Sequence, residues 1–426
     1  MSPTMALADL ARTDLAAFAD AQRAAYAELK AKGLKLDLTR GKPSPEQLDL
    51  SERLLSLPTG HTAADGTDVR NYGGLAGLPE LRAIFAELLG TSVGNVVAAG
   101  SSSLTLMHDT LVQALLYGRP NSVEPWGVED VVRFLCPTPG YDRHFALADR
   151  LGIELIPVPM SDDGPDVDVV TSLVADDPTI KGMWLVPTYA NPTGSVCSDE
   201  VARTLASMPT AARDFTIMWD NAYAVHHLTE VETTTPDIIT LAAEAGNPDR
   251  VVVFASTSKI TFAGAGVAFL AGSEATVAAY LEGLGYYSIG PDKVNQLRHV
   301  EFFGDAAGVR AHMAKHRELI APKFAAVQRV LTERLAEHGI AEWTDPAGGY
   351  FVNLDVLDGT AKRVVALAKE AGIALTPAGS AFPYGEDPRN RNIRLAPTLP
   401  PLAEVEAAMD GVATCVLLAA AEELLG

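Results

Sequence analysis

Between residues 96 and 256 the chain repeats one pattern: a short apolar run, a small or polar motif, then a stretch with helical spacing. The runs fall at 96–99, 131–136, 153–158, 183–186, 216–219 and 251–255. Each has the length of a strand, and the segments between them are long enough to return the chain to the same side of a sheet. This alternation predicts an α/β chain with a mostly parallel sheet sandwiched by helices. Ligands of such sheets sit at the carboxyl ends of the strands. Those ends here carry Ser101-Ser102-Ser103, Pro139-Gly140-Tyr141, Asn191-Pro192-Thr193-Gly194, Asp220-Asn221-Ala222-Tyr223 and Ser256-Thr257-Ser258-Lys259. The coincidence carries more than any one motif.

Lys259 stands at the mouth of a buried strand, where an amine costs desolvation energy unless it has a partner or a covalent task. It either caps the strand and reaches solvent, or loses its proton near neutral pH and forms a Schiff base with a carbonyl cofactor. The serine run precedes an apolar helix at 104–116. It either caps that helix or joins the free N–H groups and the helix dipole in a phosphate site. With neither a P-loop lysine nor a G-x-G-x-x-G pattern, nucleotide binding is not supported. The turn Thr39-Arg40-Gly41-Lys42-Pro43 is either an ordinary exposed turn or a carboxylate site.

At 426 residues the chain exceeds the size at which one core stops growing. The character changes near residue 310, which predicts a large unit at 61–310 and a smaller α+β unit built from 1–60 with 311–426. In the latter, Phe324, Val327, Leu331 and Leu335 follow a helical face, 348–354, 374–377 and 393–396 read as strands, and 361–371 reads as a helix. Helices with one apolar face are expected at 5–32 and about 401–425. The net charge of −21 argues against nucleic acid and anionic membranes, so an anionic substrate needs a local basic cluster. Cys136, Cys197 and Cys415 read as buried thiols of a reducing cytoplasm. No signal peptide is visible, and the apolar run 412–421 is too short to span a bilayer. His312 and His316 have metal-like spacing without a third ligand and read as a solvated helix face, with no metal expected. His226 and His227 read as structural.

In this order the motifs make the chain resemble a class I aminotransferase of the pyridoxal-5′-phosphate (PLP) fold-type I superfamily, closest to a divergent aspartate aminotransferase branch. The resemblance runs from Gly41 to Arg394. It implies that Lys259 carries PLP and then shuttles the substrate's α-proton, and that Asp220 keeps the ring nitrogen protonated. Asn191 and Tyr223 would bond the phenolic oxygen, and Tyr141 would stack on the ring. Ser101, Ser102, Ser103, Ser256 and Ser258 would take the phosphate. Tyr72 would reach the phosphate of a neighbouring subunit, making a homodimer with shared sites. Arg394, with Asn191 and the Gly41 backbone, would clamp the substrate α-carboxylate.

For a distal carboxylate the candidates are Arg40, Lys42, Arg143, Lys293 and Arg298, with Arg40 preferred beside Gly41. One departure stands out: the family's phosphate-gripping arginine, eight positions after the lysine, is missing, because 264–267 read Gly-Ala-Gly-Val. The expected activity is PLP-dependent, ping-pong transfer of an amino group from an L-amino acid, aspartate, to a 2-oxo acid, 2-oxoglutarate. A lyase or decarboxylase on the same scaffold would keep Lys259, Asp220 and Arg394. A PLP-sensing regulator would need a basic DNA-binding unit ahead, for which the chain offers no room and the wrong charge.

Overall fold

A computed structural model describes residues 6–426. The start of the helix expected from residue 5, and part of the leader reading, lie outside them. In chain order the strands are β1 (Leu36–Asp37), β2 (Val96–Ala98), β3 (Arg133–Thr138), β4 (Glu154–Ser161), β5 (Gly164–Pro165), β6 (Ile180–Leu185) and β7 (Thr216–Asp220). There follow β8 (Val251–Ser256), β9 (Ala268–Ala271), β10 (Ala341–Trp343), β11 (Val352–Val356), β12 (Ile373–Ala374) and β13 (Asn392–Leu395).

Eight strands form one sheet in the order β2-β9-β8-β7-β6-β3-β4-β5. From β8 to β4 every pairing is parallel. Successive side chains go to opposite faces. Leu135, Met183, Ile217 and Val253 enter one apolar cluster, while Phe134, Trp184, Met218 and Val252 enter another on the far side. Burial on both faces is why these strands read as unbroken apolar runs. The expected α/β class, a helix-flanked and mostly parallel sheet, is what forms. An addition is β9, antiparallel between β8 and β2. Because both its pairings are antiparallel, β2 points the same way as β8. The carboxyl ends of β2, β3, β6, β7 and β8 therefore share one edge.

The remaining strands make a three-stranded antiparallel sheet, β10-β11-β13, and a two-stranded parallel pair, β1-β12. We propose that the units divide at 61–310 against 1–60 with 311–426, the helix Ala306–Leu335 crossing the second boundary unbroken. One expectation is corrected here. The helix Leu402–Leu425 is not one-faced: every residue from 411 to 421 is buried. The helices Arg12–Ala31, Ala306–Leu335 and Ala361–Glu370 pack around it, and its alanines admit them closely. Among the described residues no helix is long and apolar enough to cross a membrane.

Candidate active site

At the shared carboxyl edge lies a cavity of about 580 Å³. The β8 exit contributes Ser256, Ser258 and Lys259, and the β7 exit Asp220 and Tyr223. Asn191 follows β6, and Tyr141 follows β3. Ser102 and Ser103 stand at the start of the helix Ser103–Tyr117. The other wall holds Arg40, Gly41 and Arg394. Two expected residues are missing from the lining. Ser101 is exposed, turned outward by the left-handed Gly100 before it (φ +65°). Tyr72 is 82% exposed beside a separate depression. Lys293 and Arg298 also face elsewhere: Lys293 donates to the Asn71 and Gly73 carbonyls at 2.8 and 2.7 Å, and Arg298 to the Leu57 carbonyl at 2.9 Å.

Lys259 does not cap its strand toward solvent. Its Nζ lies 4.8 Å from the Tyr223 ring centroid and makes no hydrogen bond among the described residues. Burial lowers its pKa, and the Asp220 carboxylate opposes the shift. Its main chain is held from below. The Lys259 carbonyl accepts from the Tyr350 hydroxyl and from His226 Nε2, each at 3.3 Å. His312 Nε2 lies 2.9 Å from the Ile260 carbonyl and 3.1 Å from His316 Nε2. Gln47 Nε2 donates to Tyr350 Oη at 3.0 Å and to His316 Nδ1 at 2.9 Å. The Gln47 amide is oriented by a capping box, its Oε1 accepting from the Ser44 N–H at 3.0 Å. His312 and His316 are therefore buried partners in a polar network, not a solvated face. Among the described residues no metal-holding cluster exists.

Asp220 ends β7. Its Oδ2 lies 3.0 Å from His144 Nε2, and His144 stacks on Trp184 with centroids 4.4 Å apart. Its Oδ1 is buried without a partner. A bare carboxylate oxygen there is costly unless a cationic N–H arrives to meet it. Tyr141 stands edge-on to His144, its hydroxyl pushed up to about 12 by burial and next by Asp220. Burial raises the Tyr223 hydroxyl more strongly still, so it stays a proton donor.

The helix Ser103–Tyr117 starts without any side-chain cap, so the capping alternative for the serine run is not realised. Thr105 N–H already donates to the Ser102 carbonyl at 3.1 Å, while the N–H groups of Ser103 and Leu104 make no hydrogen bond among the described residues and lie open beside the hydroxyls of Ser102, Ser103, Ser256 and Ser258. Val267, eight positions after Lys259, is buried in the apolar core, and its N–H and carbonyl bond Thr257. No basic residue of the 260–267 segment lines the cavity. An aromatic group with a protonated ring nitrogen, an acidic ring oxygen and a phosphate fits this donor set.

Arg394 is 9% exposed on β13. Its Nη1 donates to Asp142 Oδ1 at 2.9 Å and to Asn191 Oδ1 at 3.4 Å, and its guanidinium carbon lies 5.0 Å from the Phe351 ring centroid. Nε is buried without a partner. Gly41 packs against the same ring: a Cβ there would come within 2.5 Å of Phe351. Phe351, Asp142, His144, Tyr350 and Gln47 did not emerge from the sequence. The capping box Ser44-Pro45-Glu46-Gln47 was a visible signal, and Asp142 and His144 directly follow the Tyr141 motif.

Residues 10–426 match the family described as "Aspartate amino-transferase". A Mycolicibacterium smegmatis protein, described at the level of aminotransferase, is 63% identical over 99% of this chain and 100% of its own length. The aspartate aminotransferase of Corynebacterium glutamicum is 57% identical over 93% of this chain and 92% of its own. A crystal structure of an aspartate transaminase from that organism superposes with a TM-score of 0.97 at 54% identity, covering 99% of this chain and 100% of the other. With its motifs at the carboxyl edge and this match over nearly its whole length, the chain belongs to the aspartate aminotransferase family.

Proposed function

We propose that this aminotransferase uses PLP on Lys259 to move the amino group of L-aspartate to 2-oxoglutarate in two ping-pong half-reactions. The observation that carries the reading is the unpartnered, buried Asp220 Oδ1 in the same cavity as the unpartnered amine of Lys259. Bound PLP supplies a carbonyl for amines and a sink for the electron pair released at the substrate α-carbon.

The chain's own residues do the rest. Lys259 Nζ, which burial keeps more readily in the neutral amine form, would attach the cofactor and, once free, would take the proton from the substrate α-carbon. Asp220 Oδ1 would hold the protonated ring nitrogen, with His144 keeping that carboxylate in place. The Tyr223 hydroxyl and Asn191 amide would donate to the phenolic oxygen, and the Tyr141 ring would cover one face. Ser102, Ser103, Ser256 and Ser258 with the open helix start would carry the phosphate, in place of the missing arginine. Arg394 would clamp the α-carboxylate opposite Gly41.

Arg40, Lys42 and Arg143 line the cavity without an ion pair among the described residues. In a chain of charge −21 they form the local basic cluster that a dicarboxylate needs, and Arg40 remains the preferred cation. The name of the Corynebacterium relative supports aspartate as donor. A homodimer is supported by the exposed Tyr72, Tyr286, Tyr287 and Ile289, residues 73 and 289 being hydrogen-bonded neighbours. The buried, unpaired Cys136, Cys197 and Cys415 suit the cytoplasm.

The test is to incubate the PLP-loaded protein with aspartate and 2-oxoglutarate and to measure glutamate. Ammonia or alanine without glutamate would reject transamination in favour of a lyase or decarboxylase. Borohydride reduction and peptide mapping should place the pyridoxyl adduct on Lys259.

A further inference from the structure

One turn of chain supplies two groups to the cavity wall and a third that supports it from behind. Tyr141 forms wall, Asp142 opens the helix Asp142–Arg150, and His144 reaches Asp220. Of these, Asp142 is the one that crosses between sheets. Its Oδ1 accepts from Arg394 Nη1 at 2.9 Å, joining the large sheet's edge to β13 of the small one.

A carboxylate beside Arg394 could be an internal stand-in that substrate must displace. The contact geometry argues otherwise. A stand-in would take the guanidinium by two parallel N–H bonds. Asp142 takes Nη1 alone, sharing it with Asn191 Oδ1 at 3.4 Å. Nε and Nη2 make no hydrogen bond among the described residues, and the guanidinium carbon sits over the Phe351 ring. One nitrogen is tethered and the group rests on an aromatic ring, which leaves the Nε–Nη2 edge as a bidentate fork for an incoming carboxylate. Asp142 is itself steadied at a helix N-terminus, where the dipole favours negative charge.

We propose that Asp142 is a positioning residue for substrate recognition: by tethering Arg394 Nη1 it presents the Nε–Nη2 edge to the α-carboxylate of donor and acceptor alike. It also links that edge, through a single helical turn, to the His144–Asp220 pair that faces the cofactor ring. The inference rests on Arg394 being the α-carboxylate clamp.

The experiment is steady-state kinetics of D142A and D142N in the PLP-loaded enzyme, with thermal midpoint and the Lys259 borohydride adduct as controls. D142A should raise KM for aspartate and for 2-oxoglutarate together by about tenfold, the worth of a charge-assisted hydrogen bond, while kcat stays within about threefold. D142N keeps an acceptor oxygen but not the charge, and should recover most of the loss, leaving both KM values about threefold above wild type. Maleate, a dicarboxylate that does not react, should lose affinity in parallel. A fall in KM on D142A would make Asp142 a competitor of substrate and overturn the proposal. So would unchanged constants, or a loss confined to kcat. If D142A does not fold, D142N is decisive: a modest rise in KM supports the tether and an unchanged or lower KM overturns it. Wild type without transamination, or R394K with unchanged KM, would instead sink the reading beneath.

Discussion

His144 Nε2 and Asp220 Oδ2 lie 3.0 Å apart, and both side chains are closed off from solvent. The contact uses one carboxylate oxygen and leaves the other facing the cavity. His144 is held flat by Trp184 behind it, so the carboxylate inherits its orientation from a stacked pair.

Two substitutions separate the roles of the pair. D220N removes the charge proposed to stabilise a ring cation and should lower kcat by about 100-fold or more. H144A leaves the charge and frees its orientation, so a loss of about tenfold is expected. Glutamate formation under saturating substrate checks both. Equal losses would mean that His144 does more than orient Asp220.

The proposed carboxylate clamp rests on a glycine. G41A would push a methyl into the Phe351 ring, which lies against Arg394. Displacing the ring should raise KM for aspartate and 2-oxoglutarate by about tenfold, the scale of an overpacked contact, with little change in kcat. R394K loses the planar fork and should raise both KM values by about 100-fold.

Acid should destabilise the protein in a window set by its buried histidines. Burial holds His226, His299, His312 and His316 below the ordinary value of 6.5, His316 down to about 3. The unfolded chain takes up these protons as pH falls through about 6.5 and the folded one does so only well below. Between those values the unfolded state binds more protons, so stability is complete above about 6.5 and is lost as pH falls towards 3. Each histidine adds a slope of up to about 1.4 kcal/mol per pH unit. The thermal midpoint should therefore drop between pH 7 and pH 5, above the carboxylate range, and H316Q should drop less. Parallel curves for the two proteins would rule His316 out as a source.

Site sharing has a direct assay. Y72A and K259A, each impaired alone, are unfolded together and refolded as a mixture. Hybrid dimers would then contain one site with Lys259 from one chain and Tyr72 from the other. Activity should rise well above that of either parent. A mixture no more active than its parents would count against shared sites.

The large sheet was legible because its central strands are buried on both faces and carry short, wholly apolar runs, as at 134–136, 183–185, 217–219 and 251–255. β9 was not: four residues, Ala268–Ala271, follow a glycine-rich stretch and carry no turn signal of their own. Helical spacing tells which residues share a face but not which face is covered. This is why His312 and His316 read as solvated, while the partners that bury them, Gln47 and Ile260, lie far away in sequence. The motifs at the strand ends could be read because chemistry and position coincide there. Asp142 and His144 escaped notice because polar residues in a helix's first turn look like its wet side. Ser101 was lost by one residue, since the left-handed Gly100 before it turns it outward.

The helix Leu402–Leu425 places the centre of the small unit late in the order of synthesis. The strands of the large sheet lie within 96–271, and the apolar cluster on one of its faces is complete once Met313 is made. The helix Arg12–Ala31 is made first, yet its buried Leu15, Ala19, Tyr26 and Leu29 share a cluster with Val412, Val416 and Ala420. That cluster cannot close until translation reaches those residues. Ile393 and Leu395, on either side of Arg394, join the same cluster. The nascent chain thus acquires its proposed carboxylate clamp after its lysine, and a prematurely released polypeptide would have the amine without the guanidinium proposed to seat a substrate against it.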